Sequence, residues 1–374
     1  MTYKPKTYNI KTFGCMSNKV DSEILAGILE ALGYEESKIM KDADLVIINT
    51  CSIRQKSEDK VYGLGKVFAR MPNKPFIIMA GCMVGSVNGD RKRYKLSQLE
   101  ERTPWVDLYM NPSQVNELPI LLGMDKVEKI DPKYPKGEHA SINISSGCDN
   151  FCRYCVVPYA RGKEKSRPKD DILNEIESLV EKGYKYVTLC GQNVNSWGLS
   201  VDEKFEIRVG GDQKLPFASL LREVHEINGI EKIDFISSNP FDFTNDLVQT
   251  LKLPKIVNHI HIAAQSGNND VLKAMNRRHT IENFIKLIKD IKNVRPDMKF
   301  GTDIIVGFPG ETTSQFNDSI KLFKQIPFQV AFISMYSHRQ GTPAEELYED
   351  DVTRTEKKRR HAELTKVWKE TKTK

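Results

Sequence analysis

Three short segments near the N-terminus share one pattern, an apolar run followed at once by a cysteine. They are Tyr8–Cys15, Asp44–Cys51 and Pro75–Cys82. Each run predicts a short buried β-strand, and apolar residues at helical spacing follow the first cysteine from Val20 to Leu32. Strands that alternate with helices favour an α/β fold with an open parallel sheet. Because ligands of such sheets bind beyond the carboxyl ends of the strands, we expect Cys15, Cys51 and Cys82 to lie close together.

Six further strand-like segments alternate with helical ones in the second part of the chain. They are Ser141–Ser145, Tyr186–Leu189, Lys232–Ile236, His259–Ala263, Lys299–Val306 and Val330–Met335. Six β/α units predict a barrel or partial barrel with its active site at the C-terminal ends of the strands. Asp131–Ala140 is rich in Pro, Lys and Gly and predicts an interdomain linker, and Gly198–Pro216 predicts a surface insertion. We interpret His259 and His261 as core or lining residues.

Cys148, Cys152 and Cys155 form a C-x3-C-x2-C pattern after the first strand of this second group. Thiolates bind iron–sulfur clusters and zinc alike. A structural zinc site normally has four protein ligands, and no fourth Cys or His is close in the sequence. Three ligands leave one iron of a four-iron cluster open, and an open iron that chelates S-adenosylmethionine (SAM) is what radical SAM chemistry requires. Zinc or a purely structural role is the alternative.

The number of cysteines and the N-terminal residues indicate in which compartment the chain works. Seven cysteines and no signal-like N-terminus argue against a disulfide framework and predict a cytoplasmic chain. No apolar run approaches the roughly 18–20 residues that cross a bilayer.

Cys15, Cys51 and Cys82 occupy matching positions after their strands, so they predict a second four-iron cluster. One such cysteine alone would be interpreted as a small buried apolar residue. Cys190 has no matching partner and is interpreted as core.

The net charge of +6 is concentrated at the C-terminus. Val352–Lys374 contains nine Lys or Arg residues and three Glu residues. Such a basic tail would suit an RNA backbone. The alternative is a solvated helix that packs with Leu364 and Trp368 inward. The basic side chains concerned are Lys357, Lys358, Arg359, Arg360, Lys366 and Lys369.

Several motifs together resemble the radical SAM methylthiotransferase family over nearly the whole chain. They are Gly14-Cys15, Asp21-Ser22-Glu23, Asn49-Thr50-Cys51, Gly81-Cys82, the 148/152/155 triad, Arg161 to Arg167 (RGKEKSR), Gln265-Ser266-Gly267 and Gly307 to Glu311 (GFPGE).

The resemblance implies an N-terminal methylthiotransferase domain with a flavodoxin- or Rossmann-like open parallel sheet over residues 6–122. A linker over 123–140 leads to a radical SAM core over 134–366, a partial (β/α)6 TIM-like barrel, and 352–374 is the basic tail. Family members usually end in a small β-barrel RNA-binding domain. We expect that domain to be absent here.

The resemblance also implies two [4Fe–4S] clusters and SAM as cofactors. One SAM methylates sulfur associated with the Cys15/Cys51/Cys82 cluster. A second SAM is cleaved at the Cys148/Cys152/Cys155 cluster to a 5′-deoxyadenosyl radical that takes hydrogen from C2 of an adenine, and the methylthio group is then transferred to that carbon. The cofactors carry this chemistry, so no side chain is assigned as catalytic. The predicted SAM contacts are Tyr154, Gly191, Gln192, Gln265 and Asp303.

Three branches of the family differ in substrate. They modify isopentenyladenosine in tRNA, threonylcarbamoyl-adenosine in tRNA, or an aspartate of a ribosomal protein. Four stretches resemble the first branch: Cys51–Gly63, Val156–Arg161, Tyr336–Ala344 and, most tellingly, Gly191–Trp197 (GQNVNSW). We therefore expect tRNA as partner, a flavodoxin- or ferredoxin-like electron donor, no membrane and a monomer. A non-catalytic metal- or RNA-binding scaffold is the remaining alternative.

Overall fold

The computed structural model describes residues 6–53, 55–125, 131–207 and 209–372. The chain divides into two compact units. The first contains Met1–Gly137, Ser146–Cys148 and Cys155–Glu164, and the second contains Glu138–Ser145, Asp149–Tyr154 and Lys165–Lys374. Residues 126–130 of the predicted linker and 373–374 of the predicted tail lie outside the described residues.

The first unit contains a five-stranded parallel sheet. Its strands are β1 (Thr7–Thr12), β2 (Glu35–Glu36), β3 (Leu45–Thr50), β4 (Phe76–Gly81) and β5 (Leu108–Met110). They lie in the order β2-β1-β3-β4-β5, and every neighbouring pair is parallel. This is the flavodoxin-type order, in which the ligand crevice opens between the first and third strands. The predicted open sheet is therefore confirmed, with the three cysteine-flanked segments as its central strands.

Helices cover both faces of this sheet. They are α1 (Met16–Ala31), α2 (Gln55–Gly63), α3 (Gly65–Phe68), α4 (Cys82–Asn88), α5 (Leu96–Arg102), α6 (Leu118–Leu121) and, from a later part of the chain, α7 (Val157–Ala160). Alternate residues of β3 enter two different clusters: Ile47 packs with Leu29 of α1, and Ile48 packs with Phe68 of α3. Burial on both faces explains why this strand is a continuous apolar run in the sequence.

The second unit is built on two three-stranded parallel sheets. Their strands are β6 (His139–Asn143), β9 (Tyr186–Cys190), β10 (Lys232–Phe235), β11 (His259–His261), β12 (Lys299–Val306) and β13 (Val330–Met335). The orders are β10-β9-β6 and β11-β12-β13. Isolated parallel bridges, Ile233 with Ile256 and Ser238 with Ile262, connect the chain at β10 to the chain at β11. All six predicted strands exist, but β6 begins at His139 and so includes the last two residues of the predicted linker, because His139 and Ala140 already pair with β9.

The other elements of the chain are mostly helices that separate these strands. They are β7 (Ser145–Ser146), β8 (Lys165–Ser166), α8 (Lys169–Glu181), α9 (Val201–Glu206), α10 (Pro216–Glu226), α11 (Asn245–Thr250), α12 (Asn269–Ala274), α13 (Ile281–Val294), α14 (Thr313–Gln325), α15 (Pro343–Leu347) and α16 (Arg354–Thr371). The short helix α9 lies in the predicted insertion, and five of its six residues are exposed.

The C-terminal helix α16 packs on the second unit, which corrects part of the prediction for the basic tail. Arg360 is buried and its Nη1 donates to Oε2 of buried Glu311 at 2.9 Å. Lys357 is also buried and its Nζ donates to Asp350 Oδ2 at 2.7 Å. Leu364 is fully buried, and Nε1 of Trp368 donates to the carbonyl oxygen of Phe328. Two of the six cations assigned to an RNA surface therefore form ion pairs inside the fold.

Candidate functional site

Cys15, Cys51 and Cys82 follow the three central strands of the first unit. Cys15 lies three residues after the end of β1 and directly before α1, Cys51 directly follows β3, and Cys82 is the first residue of α4 directly after β4. Cys51 and Cys82 are buried, whereas Cys15 is exposed. Gly14 brings the first two segments together, since a Cβ atom on it would lie 3.0 Å from Cβ of Cys51. All three cysteines therefore follow neighbouring parallel strands, at the edge of the sheet where those strands end.

Polar groups hold the chain around these sulfurs in place. The Cys15 thiol donates to Oδ1 of Asn18 at 3.4 Å, and Nδ2 of Asn18 donates to the carbonyl oxygen of Thr50 at 2.9 Å. Nδ2 of Asn49 in turn donates to the carbonyl oxygen of Asn18 at 2.8 Å. The two asparagines are fully buried, so they tie the start of α1 to the end of β3.

A buried cation lies beside Cys82. Nη2 of Arg161, in the RGKEKSR motif, is 2.7 Å from Oδ2 of Asp21, and both side chains are at most 10% exposed. Burial raises the pKa of the Cys82 thiol, and the Arg161 guanidinium lowers it in part. For Arg161, burial alone would lower the pKa, but the charges of Asp21, Cys82 and Cys15 raise it above its ordinary value. The guanidinium is therefore a fixed positive charge next to sulfur.

The second cysteine group is split between the two units. Cys148 and Cys155 are assigned to the first unit and Cys152 to the second. Cys148 and Cys152 are buried and Cys155 is half-buried. Sγ of Cys152 accepts a hydrogen bond from Nη1 of Arg277 at 3.4 Å. A guanidinium donor suits an anionic sulfur better than a neutral thiol, because the thiol gains less from a positive charge.

The hydrogen bonds that the cysteine sulfurs accept suit ligands of an iron–sulfur cluster, whereas the arrangement of the side chains does not suit a single metal ion. Within the described parts of the chain, no group of three or more His, Cys, Asp or Glu side chains is arranged to hold a metal ion. Cluster ligands bind separate iron atoms, so they need not converge on one point. N–H groups directed at the sulfurs, from Ile53 to Cys51 at 3.4 Å and from Arg277 to Cys152, are what cluster-bound thiolates accept.

The five predicted SAM contacts all lie in the second unit. Tyr154 is half-buried and packs on a cluster that contains Phe308 and Tyr336. Gly191 follows β9, and a Cβ there would lie 2.3 Å from Oγ of Ser145, so a larger residue would displace that side chain. Gln192 is the next residue and is half-buried.

Two of these predicted contacts, Gln265 and Asp303, lie on neighbouring segments. The backbone N–H of Gln265 donates to the carbonyl oxygen of Asp303 at 2.8 Å, and Gln265 has a positive φ of 72°. Oδ2 of Asp303 lies 2.7 Å from Nε2 of His261. His261, interpreted from the sequence as an ordinary lining residue, therefore fixes the orientation of a predicted SAM contact. Its alternation with His259 on β11 was the only signal for this role.

Arg277 was not identified from the sequence as a site residue. It lies just after α12, in a stretch (NRRHT) without a recognisable spacing to any cysteine. Cys190, by contrast, is fully buried at the end of β9, as predicted for a core residue.

Comparisons with known proteins agree with this picture of two units. The Radical SAM superfamily matches residues 142–323, and the Uncharacterized protein family UPF0004 matches residues 7–110. A protein from Clostridium botulinum (strain Alaska E43 / Type E3) named tRNA-2-methylthio-N(6)-dimethylallyladenosine synthase is 39% identical over 363 residues. The match covers 92% of this chain and 76% of that protein. The protein of the same name from Clostridium tetani (strain Massachusetts / E88) is also 39% identical, with 96% and 80% covered.

This chain belongs to the tRNA-2-methylthio-N(6)-dimethylallyladenosine synthase family. Membership of the radical SAM superfamily implies a [4Fe–4S] cluster and SAM. The fold is also similar to that of the radical SAM methyltransferase TsrM from Kitasatospora setae, with a TM-score of 0.61 at 14% identity over 91% of this chain and 75% of TsrM. Among the described residues, no helix is both long and apolar enough to span a membrane.

Proposed function

We propose that this protein transfers a methylthio group to C2 of N6-isopentenyladenosine next to the tRNA anticodon, with SAM as both methyl donor and radical source. The observation that carries the proposal is the 39% identity to synthases of that name over more than nine-tenths of the chain. The product is 2-methylthio-N6-isopentenyladenosine in tRNA. The enzyme is a radical SAM sulfur-group transferase.

The proposed metal ligands are the six cysteines of the two groups. Cys148, Cys152 and Cys155 hold the cluster that binds SAM, and their C-x3-C-x2-C spacing supports this assignment. Cys15, Cys51 and Cys82 hold a second [4Fe–4S] cluster. The support for the second cluster is that three cysteines follow neighbouring parallel strands at the crevice of a flavodoxin-type sheet.

When bound, the clusters and SAM supply the radical and the sulfur chemistry that no side chain can perform. The protein's own residues bind and orient SAM and the adenine, and they exclude water from the site. In the proposed site, Tyr154, Gly191, Gln192, Gln265 and Asp303 contact SAM. His261 holds the carboxylate of Asp303 in one orientation, and Gly191 leaves room for close packing on Ser145. The six strands of the second unit form a partial (β/α)6 barrel around these residues, which their sequential, all-parallel order supports.

The partners follow from the chemistry. tRNA binds partly through the exposed cations of α16, Lys358, Lys366 and Lys369, whereas Lys357 and Arg360 are excluded from that surface by burial. A flavodoxin- or ferredoxin-like protein supplies electrons, and the enzyme works as a monomer in the cytoplasm.

The decisive experiment compares modified products in cells with and without this protein. Nucleosides from total tRNA are separated and identified by mass spectrometry, and peptides of ribosomal proteins from the same cells serve as a parallel sample. We expect 2-methylthio-N6-isopentenyladenosine to disappear and N6-isopentenyladenosine to accumulate. Loss of a methylthio group from a ribosomal aspartate or from threonylcarbamoyl-adenosine, with the isopentenyl product unchanged, would contradict the proposal.

A further inference from the structure

The guanidinium of Arg277 is a buried hydrogen-bond donor to Cys152. Arg277 is 8% exposed, and its Nη1 lies 3.4 Å from Sγ of Cys152 and 3.0 Å from Oδ1 of Asn239. Nη2 donates to the carbonyl oxygen of Ala263 at 2.8 Å. The guanidinium also lies over the ring of Phe241, with its carbon 4.9 Å from the ring centroid. The hydrogen bonds of Nη1 and Nη2 and the contact with the Phe241 ring hold the positive charge in one place.

Asn239 connects this guanidinium to the GQNVNSW motif. Nδ2 of Asn239 donates to Oδ1 of Asn193, and the backbone N–H of Asn239 donates to Oδ1 of Asn195 at 3.0 Å. A side-chain amide has one donor end and one acceptor end. Because Asn193 offers an acceptor to the donor end of Asn239, the oxygen of Asn239 must face Arg277. Three hydrogen bonds thus join Asn193 to the sulfur of Cys152.

Asn193 is itself fixed by buried groups. Its Nδ2 lies 3.3 Å from Oδ2 of Asp242, a fully buried carboxylate whose Oδ1 is 2.8 Å from Nη2 of Arg278. Asn193 and Asn195 are both fully buried. Side chains at that depth do not reach a nucleobase in this conformation. These two asparagines of the motif therefore act on the interior of the protein.

A fixed cation and an N–H donor at a ligand sulfur favour the more negative state of a cluster. Reduction adds one negative charge, and hydrogen bonds to the sulfurs are among the factors that set the potential of iron–sulfur clusters. The attraction is strong because Arg277 and Cys152 are both buried, away from the screening of water. The relevant step is the gain of one electron from an external reductant, and no bond or proton of Arg277 changes.

We infer that Arg277, oriented by Asn193 and Asn239, is a positioning residue that raises the reduction potential of the cluster bound by Cys152. The inference rests on the proposed function in one respect, that Cys152 is a cluster ligand. It assigns to Asn193 of the GQNVNSW motif a role in electron entry rather than contact with the base.

The test is a redox titration of the full-length chain in which Cys15, Cys51 and Cys82 are replaced by alanine, so that one cluster remains. After anaerobic reconstitution, the fraction of reduced cluster is followed by electron paramagnetic resonance at set potentials, with dithionite as reductant. The parent is compared with Arg277→Gln, Arg277→Lys and Asn193→Ala. Arg295→Gln is the matched control, because Arg295 also donates to backbone carbonyls, at Leu251 and Ile256, but forms no hydrogen bond to a sulfur within the described part of the chain.

We expect the ratio of reduced to oxidised cluster at a fixed potential to fall about tenfold in Arg277→Gln, equal to about 59 mV for a one-electron couple. Arg277→Lys, which keeps the charge, should recover part of this change. Asn193→Ala should shift the ratio in the same direction by less, and Arg295→Gln should match the parent. A purely structural Arg277 predicts a lower melting temperature with an unchanged potential, and that result would overturn the inference.

Two further measurements keep the outcome decisive. If Arg277→Gln cannot hold iron, Arg277→Lys and Asn193→Ala decide, and parent-like potentials in both refute the role of Arg277. Iron content of Cys152→Ala separates this inference from the proposed function. Full iron in Cys152→Ala refutes the ligand assignment itself, whereas lost iron combined with unchanged potentials in the Arg277 and Asn193 variants refutes only the present inference.

Discussion

Nη2 of Arg161 lies 2.7 Å from Oδ2 of Asp21, and this ion pair joins two motifs that are 140 residues apart in the chain. Asp21 lies on α1, six residues beyond Cys15, and Arg161 follows α7. Because both side chains are almost fully buried, each charge depends on the other for stabilisation. The pair therefore links the integrity of the first unit to the environment of Cys82.

Breaking this ion pair from one side should destabilise the metal-free protein strongly. Arg161→Met leaves a buried carboxylate and Asp21→Asn leaves a buried guanidinium, and each should cost about 3–5 kcal/mol of unfolding free energy. The double variant Arg161→Met with Asp21→Leu should lose less than the sum of the two, since neither charge is then left alone. Urea unfolding of the single and double variants measures this coupling. Additive losses would show that the two side chains do not interact.

Metal content tests the two cysteine groups. Anaerobic reconstitution of the wild-type chain should give about eight irons with matching sulfide, as two four-iron clusters require. Replacement of Cys15, Cys51 and Cys82 by alanine should leave about four, and Cys190→Ala is the control that should keep all eight. Stoichiometric zinc without sulfide would contradict both cluster assignments.

The two clusters should have different functions, one in SAM cleavage and the other in methylthio transfer. The variant without Cys15, Cys51 and Cys82 should still cleave SAM to 5′-deoxyadenosine under reducing conditions, because the Cys148/Cys152/Cys155 group is intact. It should form no methylthio product, because its sulfur-bearing cluster is missing. Chromatography of SAM products and of tRNA nucleosides from one reaction checks both statements. Loss of 5′-deoxyadenosine from a variant that retains four irons would disprove this division.

The basic residues of α16 should fall into two classes. Lys358→Gln, Lys366→Gln and Lys369→Gln change exposed cations, so they should weaken tRNA binding and lower its log–log salt slope by roughly 0.7–0.9 for each lost phosphate contact. Arg360→Met removes the partner of buried Glu311 and should instead lower the unfolding free energy by about 3–5 kcal/mol. Filter binding at several salt concentrations and thermal melts of the same variants distinguish the classes. Wild-type affinity and slope in the lysine variants would remove α16 from the RNA surface.

The sequence predicted the strands and the cysteine positions because those signals are local. Apolar runs such as Asp44–Cys51 reveal a buried strand, and parallel topology then brings the residues after each strand to one edge. It could not reveal that Arg360 is buried, because its partner Glu311 lies 49 residues away. The role of Arg277 could not be predicted for the same reason, because 125 residues separate it from Cys152. Ion pairs and hydrogen bonds over such distances depend on the complete fold, and charge counts in a short window do not contain them.

Glu23 on α1 should make stability depend on pH. Burial raises the pKa of this carboxyl from an ordinary 4.5 to about 7, against a smaller lowering by Lys19. The folded state therefore binds the proton more tightly than the unfolded state, and the unfolding free energy must fall as the pH rises from 4.5 to 7. Glu23→Gln cannot ionise and should lose this contribution. The measurement is urea unfolding of the metal-free wild type and Glu23→Gln between pH 4.5 and 8. The stability of the variant relative to wild type should rise across that window and then level off above pH 7, whereas parallel profiles would show that Glu23 ionises as readily in the folded chain as in the unfolded one.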